Sequence, residues 1–349
     1  MAAIDTHIPV NLITGFLGSG KTTLLQRLLA DPALADTAVL INEFGEVGLD
    51  HLLLQHVDEE TVILQSGCIC CTIRDDLSRA VRELHAKRDA GQVPRFTRLV
   101  IETTGLAEPA PIASTLTADP VIRHHFRLSN IVTTVDAVNG ALHLAQNPES
   151  VQQVAAADRI VLTKTDIAEP AAVEDLRAKL TSLNPTAAVI EAAGDGIDPD
   201  QILVRDIQDR KGKRAEIKRW LAAMPHDHNP RTPDDGNVNR HDRGIRAVCL
   251  TFEDAIDWTA FGIWLTMLLH AHGEQVLRVK GILNVPGSKT PVAIHGVQHV
   301  VHPPVHLDRW PDKDRRSRIV FIVRDLDPAA IETSLAAFNR LAGTQTWAA

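Results

Sequence analysis

Tyrosine is absent from the 349 residues, and aromatic residues reach only 4% of the chain. Cysteine is scarce as well, at four residues, which excludes a disulfide-stapled scaffold. No run approaches the roughly 18 uncharged apolar residues of a membrane span, so no membrane partner is expected. Basic residues are outnumbered, 36 against 44 acidic, for a net charge of −8. The basic footprint of a dedicated nucleic-acid binder is therefore missing, and no nucleic-acid partner is expected. The opening MAAIDTHIPVNLITG lacks the basic and apolar regions of a signal peptide. Neighbouring thiols at Cys70 and Cys71 are poorly placed for an ordinary structural bridge. A soluble cytoplasmic protein is the expectation. The missing tyrosine excludes nothing by itself.

What is present is ordinary in amount and unusual in arrangement. Hydrophobic residues make up 44% and charged residues 23%, the profile of a folded globular chain. The length suits two domains of about 100–200 residues each. Residues 1–210 alternate short β-branched runs with amphipathic stretches. Ile8 to Thr14, Thr37 to Asn42, Thr97 to Thr103, Ser129 to Asp136 and Asp158 to Lys164 read as buried strands. Lys21 to Ala30 and Glu169 to Leu183 read as helices between them. Such alternation predicts an α/β fold with a mostly parallel sheet covered on both faces. Functional loops should gather at the carboxyl ends of its strands. Residues 211–243 carry charge, Pro, Asn and His with few apolar positions, and read as a polar linker. Residues 244–349 read as a smaller α+β domain in the order β-α-β-β-β-α. Its helix Trp258 to His272 is strongly apolar, so Trp258 and Trp264 are expected in the core.

Gly15 to Thr22, GFLGSGKT, matches G-x-x-x-x-G-K-[ST] between a strand and a helix. Glycines there (Gly15, Gly18 and Gly20, flanking Ser19) let backbone N–H groups turn around phosphate oxygens at a helix N-terminus. Lys21 would neutralise the β/γ-phosphates, and the Thr22 hydroxyl would ligate Mg²⁺. The strand end LVIETTGLAEP supplies Glu102 to hold the metal and Gly105 to sense a γ-phosphate. An ordinary polar strand end is the alternative for Glu102. Asp136 reads better as a cap of the following segment.

Thr163-Lys164-Thr165-Asp166 follows the next strand. A carboxylate at Asp166 can accept from guanine N1–H and N2–H₂, a contact worth about 1.5–3 kcal/mol. Lys164 would lay its stem over the base. GTPases usually carry Asn where this chain has Thr163, and a lone hydroxyl is expected to loosen the loop. The alternative for Asp166 is a helix N-cap.

Three of the four cysteines, Cys68, Cys70 and Cys71, fall in the window CICC. Thiolates are soft ligands suited to Zn²⁺ and related metals. C-x-C-C is too few ligands for a closed structural site, so an open, exchangeable one is expected. Glu43 and Glu46 in INEFGEVGLD could complete it. A redox dithiol and simple burial are the alternatives. Cys249, isolated in a strand, reads as a small core residue.

The phosphate loop, INEFGE, GCICCT, ETTGLAEP and TKTD in this order resemble the CobW family of metallochaperone GTPases. VKGILNV, HGVQHV and RIVFIVRDL extend the resemblance through the C-terminal region. It implies a signal-recognition-particle-like P-loop GTPase fold and slow, Mg²⁺-dependent GTP hydrolysis to GDP. It also implies a C-x-C-C site for a transition metal, Zn²⁺ or Co²⁺. By matching positions, Gly18 to Thr23 (Thr22 and Thr23 included) would hold phosphate and Mg²⁺. Glu102 would be the switch acid, Lys164 and Asp166 the guanine readers, and Cys68, Cys70 and Cys71 the metal motif. Members are associated with zinc supply, cobalamin biosynthesis and nitrile hydratase activation. The expected function is a GTP-gated carrier that delivers metal to a client metalloprotein, with a nucleotide- or metal-dependent homodimer as a further expectation. A redox-sensing regulatory GTPase and a small-molecule kinase are the rivals. The histidine-rich loop of many members is thin here, with His226, His228 and His241, and reads as linker polarity or, alternatively, as a vestigial metal-collecting loop. His295, His299, His302 and His306 form a second set. If HGVQHVV is one strand, His295 and His299 share a face and His302 lies on the other.

Overall fold

The computed structural model describes residues 7–41, 62–65, 73–192, 197–203, 217–218, 221 and 244–343. Two compact units divide the chain: Met1–Leu180 with Ala187–Asp209, and Thr181–Thr186 with Arg210–Ala349.

The first unit is built on β1 (Ile8–Gly15), β2 (Thr37–Ile41), β3 (Val62–Gln65), β4 (Arg98–Glu102), β5 (Phe126–Asp136), β6 (Arg159–Thr163) and β7 (Ala188–Glu191). Its helices are α1 (Lys21–Leu29), α2 (Ile73–Asp89), α3 (Pro109–Ala118), α4 (Pro120–His125), α5 (Gly140–Gln146), α6 (Pro148–Ala156) and α7 (Pro170–Leu183). The seven strands lie in the order β3-β2-β4-β1-β5-β6-β7, and every pair is parallel. The sheet is thus parallel throughout rather than mostly so. Burial explains it: every residue of β1, β2 and β4 is inaccessible, as strands sandwiched between two helical layers must be. Leu24, Leu25, Leu28 and Leu29 bring α1 onto the sheet against Ile13, Val39 and Val132. From β1 the chain leaves toward β2 on one side, while β5 leads to β6 on the other. The carboxyl end of β1 is therefore the crevice where such sheets take ligands.

The second unit is an antiparallel sheet, β11 (Val300–Val301), β10 (Val292–Val297), β9 (Val276–Leu283), β13 (Ser317–Arg324) and β8 (Ile245–Phe252), with β12 (Val305–His306) beside β10. Helices α8 (Trp258–His272) and α9 (Pro328–Gly343) carry Phe261, Trp264, Leu265, Ile331 and Leu335 into a core with Val279, Phe321 and Val323. The other face is also apolar. Ile282, Ala293 and Val320 pack with Leu307, Cys249 and two helical residues, Ile217 and Leu221. Those two residues lie within the stretch read as a polar linker; their spacing of four places both on one helical face, which is buried.

Two other expectations are corrected here. Trp264 is buried, but Trp258 in the first turn of α8 is 40% exposed and stacks on Phe261. HGVQHVV is not one strand: Gln298, at φ +47°, turns it into the hairpin β10–β11. His295 and His302 consequently meet with rings stacked at 4.1 Å, while His306 is exposed in β12. No helix among the described residues is long and apolar enough to cross a membrane.

Candidate nucleotide-binding site

β1 ends at Gly15 and α1 begins at Lys21, so GFLGSG is the turn between them. Gly18 at φ +69° and Gly20 at φ +85° hold left-handed conformations that glycine adopts without penalty. At Gly15 the requirement is also steric, since a Cβ would lie 2.5 Å from Thr134 O and 2.7 Å from Ser19 Oγ. A turn of this kind leading into a helix N-terminus is built to receive anionic oxygens. The Lys21 ammonium lies against the loop, donating to Gly15 O at 3.1 Å and Phe16 O at 3.2 Å. Thr23 is exposed in the first turn of α1.

Thr22 and Glu102 come together across the sheet. Register pairs Ile13 with Glu102, which sets the carboxylate beside the start of α1. The Thr22 hydroxyl donates to Glu102 Oε1 at 2.6 Å, and Glu102 is 4% exposed. Two hard oxygen donors at the mouth of a phosphate loop are the donor set that Mg²⁺ prefers, so these residues fit that ion.

A series of hydroxyls fastens the phosphate loop to neighbouring strand ends. Thr103 Oγ1 donates to Thr14 Oγ1 at 3.0 Å, and Ser19 Oγ and Thr134 Oγ1 share a hydrogen bond of 2.6 Å. Thr163 Oγ1 donates to Ser19 O at 2.8 Å. The expected loosening at Thr163 is therefore not what the geometry gives. Its hydroxyl reaches into the phosphate loop, and its methyl would stand 3.4 Å from a Cβ at Gly20.

On the base side, Lys164 sits at φ +58° and its ammonium is 2.7 Å from Asp136 Oδ2. Asp136 caps the turn after β5, as its sequence position suggests, accepting from Val138 N–H at 2.8 Å and Asn139 N–H at 3.3 Å. Asn139 Nδ2 donates to its second oxygen at 3.0 Å. Burial works to raise the Asp136 pKa, but the hydrogen bonds from Lys164, Asn139 and the Val138 and Asn139 N–H groups together outweigh it. The carboxyl is held below its usual range. The Lys164–Asp136 pair was not foreseen; it anchors the lysine by its charged end. Asp166 is exposed in the turn after β6, and α7 starts only at Pro170, so Asp166 is not a helix cap.

The loop from β4 to α3 holds Gly105, which is buried. A Cβ there would stand 2.7 Å from Leu17 N and 2.8 Å from Leu17 Cα, so this loop touches the phosphate loop backbone. Gln153 of α6, fully buried, donates through Nε2 to Gly105 O at 3.1 Å and Ala107 O at 3.0 Å. Sequence reading missed Gln153. The available signal was a polar residue one position from Val154 on the inward face of α6.

Cys68, Cys70, Cys71, Glu43, Glu46, His226, His228 and His241 lie outside the described residues. By chain order the cysteine motif joins the carboxyl end of β3 to the start of α2. Among the described residues no group of three or more His, Cys, Asp or Glu side chains is arranged to hold a metal.

Residues 9–191 match the profile described as the CobW/HypB/UreG nucleotide-binding domain, and residues 245–339 match that of the cobalamin synthesis protein CobW C-terminal domain. The chain is 31% identical to the zinc chaperone YjiA of Escherichia coli K12, over 95% of this chain and 99% of the relative. It is also 31% identical to the zinc chaperone CobW of Pseudomonas aeruginosa, over 94% and 90%. Among solved structures, the Zn(II)-bound YjiA GTPase from E. coli superposes with a TM-score of 0.68 at 27% identity, covering 95% of this chain and 99% of that one.

Proposed function

The chain belongs to the CobW family, and from that premise we propose that it is a GTPase that carries Zn²⁺ and hands it to a client metalloprotein. The observation that carries the reading is the 2.6 Å Thr22–Glu102 pair at the mouth of the phosphate loop, in a chain whose relatives are named zinc chaperones. Gly15, Gly18, Ser19 and Gly20 cradle the phosphates with their backbone, and Lys21 turns from the loop carbonyls to the β/γ-phosphates. Thr22 and Glu102 would hold Mg²⁺, which when bound neutralises phosphate charge and orders the reacting oxygens. Gly105 meets the γ-phosphate end, and Lys164 and Asp166 read the guanine. The hydrolysis is slow, because the carrier needs a long-lived GTP state.

Cys68, Cys70 and Cys71 bind the cargo as thiolates, with Glu43 or Glu46 as added ligands. Zn²⁺ rather than Co²⁺ is the cargo, in keeping with the relatives' names. Switching is coupled to cargo because the motif lies between β3 and α2, whose strand is two positions from β4 and its Glu102. The carrier works in the cytoplasm, and the C-terminal unit selects the client or mediates a homodimer.

Paired titrations test this. Zinc affinity should differ between protein loaded with a non-hydrolysable GTP analogue and with GDP, and should fall in Cys70→Ala and Cys71→Ala. Equal affinities in both nucleotide states, or unchanged affinity in both variants, would overturn the carrier reading. Loss of GTP turnover in Lys21→Ala tests the hydrolase half separately.

A further inference from the structure

We infer that Gln153 is a positioning residue for the γ-phosphate-sensing loop, setting the site's preference for GTP over GDP; this rests on the GTPase reading above. Gln153 has no access to solvent, so each end of its amide must find protein partners or carry a desolvation penalty; among the described residues Nε2 finds two acceptors and Oε1 finds no donor. It spends one nitrogen on two carbonyls of one short turn, Gly105 O at 3.1 Å and Ala107 O at 3.0 Å. That turn is closed by Ala107 N–H donating to Thr104 O at 3.2 Å. Gly105 itself is buried and lies beside the phosphate-loop backbone at Leu17.

The backbone that carries the amide is itself tied to the sheet, through the main-chain carbonyl of Gln153. Thr133 Oγ1 donates to Gln153 O at 2.8 Å, and Thr133 adjoins Thr134, whose hydroxyl meets Ser19 of the phosphate loop. One strand end of β5 therefore sets both the phosphate loop and, through α6 and Gln153, the loop that meets it at Leu17. With the Gly105 and Ala107 carbonyls fixed, the intervening peptides keep a constant height above the phosphate loop. GDP does not reach the Gly105 end, so this register matters to the third phosphate and to its transfer.

Gln153→Met keeps most of the volume and removes both donors. Two neutral hydrogen bonds lost should lower the affinity for a non-hydrolysable GTP analogue about tenfold and turnover about tenfold. GDP affinity should stay within about twofold of wild type. Thr133→Val removes only the hydroxyl that steadies Gln153 and should shift the GTP-over-GDP ratio the same way, about threefold. It covers the case in which Gln153→Met does not fold, as judged by thermal unfolding with GDP. The inference is overturned if the folded variants keep the wild-type ratio and turnover. It is equally overturned if GTP-analogue and GDP affinities fall together, the mark of a merely structural residue. Wild-type protein that fails to hydrolyse GTP would overturn the underlying reading instead, and that outcome is visible before any variant is made.

Discussion

Replacing Asp136 by Asn probes how the base side of the site is held. The carboxylate accepts from Val138 N–H, Asn139 N–H, Asn139 Nδ2 and Lys164 Nζ. In Asp136→Asn the single amide oxygen can keep the two backbone donors, and the new NH₂ then faces two other donors. Both bonds made by Oδ2 are lost, the one from Asn139 Nδ2 and the charge-assisted one from Lys164, and the latter is the larger at about 1.5–3 kcal/mol. The Lys164 side chain is 38% exposed and recovers part of that from water. A net loss of about 1–2 kcal/mol remains, or about five- to thirtyfold in guanine-nucleotide affinity if the anchored lysine packs on the base. Fluorescent GDP titration measures the loss, with urea unfolding run alongside to separate stability from binding. The decisive form is a double-mutant cycle with Lys164→Met, in which a coupling of at least about 0.5 kcal/mol is expected. Additivity within about 0.3 kcal/mol would refute the idea that Asp136 acts through Lys164. Because the folded pKa lies below its ordinary 3.8, the pair is intact above that pH and is lost only as acidity drives the pH below it.

Gly105→Ala would press a methyl onto the Leu17 backbone, at 2.7 Å from its nitrogen, and should cost about 1–3 kcal/mol together with most GTP turnover; unchanged turnover would show that the two loops separate freely. Asp314 is held at about 2 chiefly by the hydrogen bond from Arg316, against an ordinary 3.8. Its contribution, about 1 kcal/mol at a solvent-screened site, is present above pH 3.8 and lost as pH falls toward about 2. Stability curves of wild type and Asp314→Asn should therefore converge on acidification through that window, and parallel curves would contradict the pairing. Trp264→Ala removes a buried indole that packs edge-on to Phe321 and donates to Ser334 Oγ at 2.9 Å. Denaturant unfolding should show a loss of about 3–5 kcal/mol, and Trp264→Phe a much smaller one.

The parallel strands were legible because burial on both faces demands unbroken β-branched runs, as in IPVNLIT and RIVLT. β3 and β7 escaped notice, since four-residue strands at the two sheet edges carry too little pattern to rise above their surroundings. The phosphate-loop pattern was legible from spacing and Glu102 from its place at a strand end, while its hydrogen bond with Thr22 follows from the pairing of β1 with β4. Gln153 and the Lys164–Asp136 pair were not: each joins residues 28 to 48 positions apart, and only strand order brings them together. The same holds for Thr163, whose hydroxyl gained its meaning from lying next to Ser19 rather than from matching a motif. The His295–His302 stack was hidden by a hairpin turn without glycine at its tip.

The burial of Ile217 and Leu221 on the second sheet face changes where this chain can be cut. A fragment starting at Gly244 would retain every strand of the C-terminal sheet yet present Ile282, Ala293, Leu307 and Val320 to water. Burying two such aliphatic side chains is worth about 3–6 kcal/mol, a large share of a domain's usual stability. The excised unit should therefore begin near Arg210.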